Sequence, residues 1–216
     1  MCFNFGISVA ALTIGLLSGA VALYLRQYIL GCLILAYSLM QLSEAVIWRG
    51  IDDENDAVNR VGTKMAKLLL PIHNIAIGVG VYLNSRRTDT TAIIVGLLFY
   101  IFVLLGYELQ DEPDSARVTT TCADTCAPWQ AKLQWPFWHT WYALSYAVSI
   151  ALMLYYVSPT MPTALIMVLF YSLTWLTTFW LGKTEAQGSF WCWSTAILAP
   201  VVVFLNGYTT TAGALT

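Results

Sequence analysis

The stretch YILGCLILAYSLMQLSEAVIW, Tyr28 to Trp48, decides the fold, because its 21 residues are largely apolar and carry one charge, Glu44. At ~1.5 Å per helical residue such a run crosses ~30 Å of hydrocarbon. Tyr37, Gln41, Glu44 and Trp48 recur at intervals of four, three and four residues, which puts all four on one face of a helix with a 3.6-residue period. A carboxylate turned toward lipid costs about 2.5 kcal/mol or more. The polar stripe is therefore expected to face other helices or a water-filled cavity.

The rest of the chain has the same character. Of its 216 residues 58% are hydrophobic and 10% charged, against about a quarter charged in a soluble domain, and mean hydropathy is +0.67. Net charge is -2 and no Lys/Arg-rich run is present, so nucleic acid is excluded as a partner. Residues 1–216 read as a single transmembrane domain whose partner is the lipid bilayer. The first positive charge, Arg26, follows the first apolar run instead of preceding it, so that run is expected to stay as a helix and not to be cleaved as a signal peptide.

Apolar runs set seven spans at about 3–25, 28–48, 66–83, 91–107, 136–157, 163–181 and 190–205, predicting an all-α, seven-helix transmembrane bundle. Gly15 and Gly19, four apart, mark a close helix contact. Between the second and third spans Asp52, Asp53, Glu54 and Asp56 look like the start of a calcium loop, but the Gly and the bidentate Glu that such a loop needs are missing, which leaves a solvated acidic loop over 49–64. Pro71 interrupts the third span just ahead of His73 and Asn74 and is expected to bend it. Glu108 to Trp135 is the longest hydrophilic stretch. Trp129, Trp135, Trp138, Trp141, Phe137 and Tyr142 crowd its far end as an interfacial belt. Tyr37-Ser38-Leu39-x-x-Leu42 recurs as Tyr171-Ser172-Leu173-x-x-Leu176, the trace of a weak 3+1+3 repeat of the kind some small transporters use.

The best constellation for chemistry is Glu44 with Gln41, Tyr37 and Trp48 on the second span, and His73 with Asn74 on the third. A Glu and a His brought together inside a bundle can hold or relay a proton near neutral pH; the competing reading is polar packing between two helices. Cys122 and Cys126 are candidates for a disulfide if their side of the membrane is oxidising, with Cys192 near a membrane boundary as an alternative partner. They do not make a zinc site, since Asp124 and His139 are the only further ligands nearby, and no metal or cofactor is expected. Lys and Arg counted alone put the N-terminus inside, seven residues against three. The seven lie among ten acidic residues, however, and the uncharged N-terminus is easily translocated, so the N-terminus is expected outside.

The opening Met1-Cys2-Phe3-Asn4 together with Gln41-x-x-Glu44-x-x-x-Trp48 resembles a loosely defined family of uncharacterised multi-pass membrane proteins of bacteria and large DNA viruses, which open Met-Cys-Phe-Ser. Asn4 stands where those have Ser. The resemblance covers about the first quarter of the chain and brings no activity with it. It implies that Cys2 joins Gln41, Glu44 and Trp48 in one site. Apart from the resemblance, His139 within the aromatic belt is a further candidate.

These features together point to a small-solute or proton-linked carrier, channel or receptor, with a homo-oligomer left open. A structural or assembly protein of a viral envelope or membrane complex is the alternative, and an intramembrane enzyme the third reading. The enzyme is disfavoured, because two His on separate spans supply no zinc site and no G-x-S-x-G motif is present.

Overall fold

The structure, a computed structural model, describes residues 4–85, 90–108, 116–120, 131–134, 140–157 and 198–207. Among these residues the fold is helical apart from one short strand pair. The helices are α1 (Phe5–Tyr24), α2 (Tyr28–Asp52), α3 (Asp56–Leu69), α4 (Ile72–Asn84), α5 (Thr91–Glu108) and α6 (Thr140–Val157), with α7 at Leu198–Gly207. Strands β1 (Arg117–Thr120) and β2 (Ala131–Gln134) pair antiparallel, Arg117 opposite Gln134.

α1 and α2 are long and apolar enough to cross a membrane, and α3 with α4 count as a third crossing if the pair, bent by 45°, is taken as one broken span. This is consistent with an integral membrane protein. The apolar helices Thr91–Leu105, Tyr142–Val157 and Leu198–Gly207 are shorter than that measure. The expected sixth span and the second copy of the Tyr-Ser-Leu repeat lie outside the described residues.

α2 is the central element, packed against α1, α3 and α4, and 16 of its 25 residues are buried. α1 behaves oppositely. Its buried residues are all small (Ser8, Ala11, Gly15, Ser18, Gly19 and Ala22), while Leu17, Val21 and Tyr24 face outward. That distribution suits a helix with lipid outside and a close partner inside. Gly15 meets Ser38, Gly19 meets Leu35 and Leu23 meets Gly31, an antiparallel register closed by a turn in which Arg26 takes a φ of 59°.

The charged stretch between the second and third spans is where the structure departs most from expectation. No solvated loop covers 49–64: α2 runs on to Asp52, and α3 starts at Asp56. The carboxamide of Asn55 accepts from the backbone N–H groups of Ala57 and Val58 at 3.1 and 3.2 Å, capping α3, and Asp56 lies in the first turn. Acidic residues here complement the positive end of a helix. Asn59, Gly62, Thr63 and Ala66 then form a buried stripe, and Gly50 lets the backbone of α3 approach α2 at Asn59. The long hydrophilic stretch likewise contains the β1–β2 pair, which its composition did not announce.

Pro71 separates α3 from α4. With no N–H it cannot bond the carbonyl four residues back, and that carbonyl, Lys67, instead accepts a hydrogen bond from the Tyr142 hydroxyl at 3.0 Å. Past the break the amides of His73 and Asn74 bond three residues back, to the carbonyls of Leu70 and Pro71, at 3.3 and 3.2 Å. Tyr142 is fully buried, so it belongs to the interior and not to the expected interfacial belt; the other residues of that belt have no described side chain.

A Cβ on Gly62 would lie 2.8 Å from the Ile47 backbone nitrogen and 3.0 Å from the Ser43 carbonyl. Gly62→Ala is therefore expected to destabilise the α2–α3 contact by about 1–3 kcal/mol, the usual cost of overpacking, in a detergent-micelle unfolding titration. On Gly6 a Cβ would come no closer than 3.4 Å to Asn4 Oδ1, and Gly6→Ala is expected to stay within about 1 kcal/mol of the parent.

Candidate functional site

The polar stripe of α2 turns inward. Tyr37, Gln41, Glu44 and Trp48 are 6%, 0%, 0% and 5% exposed, so a carboxyl group and a carboxamide lie wholly inside the helices. Across from them α4 begins just after the break with His73 and Asn74, both fully buried.

The His73 ring lies against Tyr37, with centroids 4.0 Å apart and planes tilted by 44°. Its Nδ1 is 2.6 Å from the hydroxyl of Tyr146 on α6. Nε2 is buried, and the Ala36 backbone lies within hydrogen-bonding reach of the ring. Glu44 is seven residues beyond Tyr37, about 10.5 Å further along the helix axis. Glu44 lies further along the buried face of α2 that carries Tyr37, and the described neighbours of the imidazole include Tyr37 and Tyr146.

Asn74 extends the same seam. Its Nδ2 donates to Ser149 Oγ at 3.0 Å, and that hydroxyl donates to the Tyr146 carbonyl at 2.8 Å. Asn74 Oδ1 is buried and accepts no hydrogen bond among the described residues.

Sequence reasoning placed Tyr142 in the aromatic belt and did not single out Tyr146 or Ser149. Tyr142, Tyr146 and Ser149 stand at i, i+4 and i+7, as do Tyr37, Gln41 and Glu44, so the helical spacing of polar residues was the signal that could have found them.

A second buried polar group lies beside the α2–α3 turn. Asn59 Nδ2 donates to the Ala116 carbonyl at 2.9 Å, and the Ala116 N–H donates to Asn59 Oδ1 at 3.0 Å and to Thr63 Oγ1 at 3.1 Å. The carboxamide pairs with the chain as a neighbouring strand would, fixing the start of β1 on α3. Polar atoms taken out of water need such partners.

Cys2, Cys122, Cys126 and His139 lie outside the residues whose side chains are described, while Cys32 is a half-buried free thiol. No group of three His, Cys, Asp or Glu gathers at metal-binding distance among the described residues. No family model, curated protein or solved structure matches this chain. The site combines a buried acid, a buried imidazole in the first turn after a helix break, and a hydrogen-bonded seam joining that break to α6.

Asn59→Ala removes one donor and one acceptor of the Ala116 clasp. Hydrogen exchange at the Ala116 amide is expected to quicken about tenfold, the scale of one lost hydrogen bond, and further when Thr63→Val is added.

Proposed function

We propose that this chain is an integral membrane protein of the seven-span plan in which the buried polar band around Glu44 and His73 is the working centre of a proton-linked small-solute carrier. The observation that carries this reading is Glu44, 0% exposed on a helix long and apolar enough to cross a membrane. An ionisable group at such a position is costly and as a rule functional. The helix across from it is broken, with polar side chains directly after the break, an arrangement transporters use where substrate and coupling ions bind. Full burial of Glu44, Gln41, His73 and Asn74 favours alternating access over an open channel, since a channel keeps such groups wet.

The alternative, a structural or assembly protein, draws its support from the apolar outward faces of α1 and α5, where Leu17, Tyr24, Leu98 and Leu105 are exposed. In that reading the polar band serves only as packing between helices. Glu44→Gln separates the two, because it keeps the shape of the side chain and removes its proton. In proteoliposomes bearing a pH-sensitive dye, the parent is expected to carry protons inward between about pH 5 and 8, and Glu44→Gln to abolish that flux while keeping the same unfolding midpoint. A parent with no flux at any pH in this range supports the assembly reading instead.

A further inference from the structure

Along α6, three side chains on successive turns reach the broken helix, and they do so on both sides of the break. Tyr142 donates to the Lys67 carbonyl of α3 at 3.0 Å. The Tyr146 hydroxyl meets His73 Nδ1 of α4 at 2.6 Å, and Ser149 Oγ accepts from Asn74 at 3.0 Å. Their spacing of four and three residues sets them on one face of α6. That face spans the 45° bend.

We propose that α6 is a splint across the broken helix, in which Tyr146 positions His73 so that the protonation state of the imidazole and the bend at Leu70–Pro71 change together. The inference deepens the carrier reading and rests on it for its purpose, though not for its geometry.

The physical link is the direction of one hydrogen bond. A neutral imidazole accepts at one nitrogen and donates at the other, whereas an imidazolium donates at both. While Nδ1 accepts, Tyr146 is the donor and Nε2 carries the ring proton beside the Ala36 backbone. A proton arriving at Nδ1 forms an N–H bond there, so that Tyr146 must turn its hydroxyl hydrogen away and accept. The three contacts lie on one rigid helix, so a shift at Tyr146 is passed to Tyr142 and to the Lys67 carbonyl it bonds, four residues before Pro71. A two-arrangement element of this kind is what coupling between sites requires.

The titratable side chains on the elements around α4 are few. α2 brings Tyr37 against the ring, with Glu44 two turns beyond and Tyr28, Cys32, Arg49 and Asp52 elsewhere on the helix. α3 carries Asp56, Arg60, Lys64 and Lys67. α6 carries Tyr142 and Tyr146 with Tyr155 and Tyr156 further along. On α5 the described side chains include one, Tyr100.

The test uses the full chain in nanodiscs, labelled with 15N-histidine. His139→Gln leaves His73 as the single imidazole, since the chain has two histidines. The parent is expected to show a neutral ring with the proton on Nε2. Tyr146→Phe is expected to move the ratio of the two tautomers about tenfold, the scale of one hydrogen bond. Tyr142→Phe and Ser149→Ala leave the imidazole's own contacts intact and are expected to move the same ratio by a smaller, measurable factor. An unchanged ratio in Tyr146→Phe overturns the positioning role, and unchanged ratios in both other variants overturn the splint. Either result stands apart from flux: tautomer changes without proton flux in the parent keep the splint and remove the carrier, whereas flux with an unmoved tautomer does the reverse.

Discussion

An acid on the inner face of an apolar helix has to be covered, and the described structure is arranged around meeting that need for Glu44. Covering it sets the orientation of α2, and the orientation of α2 sets what can pack on each side. The face with Ser38 and Leu35 takes the glycines of α1. The face with Ser43 and Ile47 takes Gly62 of α3, and Tyr37 takes the His73 ring at the start of α4. Without a water shell to satisfy them, polar groups in such an interior must find one another. This explains why buried Gln, His, Asn, Ser and Tyr side chains gather on α2, α4 and α6, while α1 and α5 present Leu, Ile and Phe outward.

The break at Pro71 is the second constraint, and it follows from chemistry as simple as a missing N–H. Pro71 has no N–H to offer the Lys67 carbonyl, and the Tyr142 hydroxyl donates to it. Once α6 is drawn to the break by Tyr142, the next turns of the same face come level with His73 and Asn74, and both make hydrogen bonds there. One proline thus accounts for the bend, for the polar seam and for the position of an imidazole that a straight helix would have carried elsewhere. Function and packing need not compete in this arrangement, since a seam that holds helices together by a few directional bonds is also one that changes when one of its members changes charge.

Much of this was legible in the residues. The period of Tyr37, Gln41, Glu44 and Trp48 located the buried face of α2, and the placement of Pro71 ahead of His73 located the broken helix. Sequence was misleading where a local charge pattern overrode a longer one: 49–64 read as a solvated loop, although the turn is confined to 53–55, Asn55 is a helix cap, and Asn59, Gly62, Thr63 and Ala66 repeat at helical spacing. The α6 partners were missed because Tyr146 and Ser149 are ordinary residues in membrane helices and only their common spacing, set against a break some 70 residues earlier, gives them meaning. Contacts across such a separation leave no trace in one sequence. Neither does the strand pair, whose four-residue strands are too short for alternation to stand out.

The most direct measurement of the central claim is the infrared carboxyl spectrum of the protein in nanodiscs, taken as the difference between the parent and Glu44→Gln over a pH titration. A proton-binding centre at Glu44 gives a C=O stretching band at the frequency of a carboxylic acid out of contact with water, absent in Glu44→Gln and converted to carboxylate bands as the pH rises. Spectra of parent and variant that coincide across the titration, or a Glu44 band with the frequency and hydrogen-exchange rate of a water-exposed acid, contradict it.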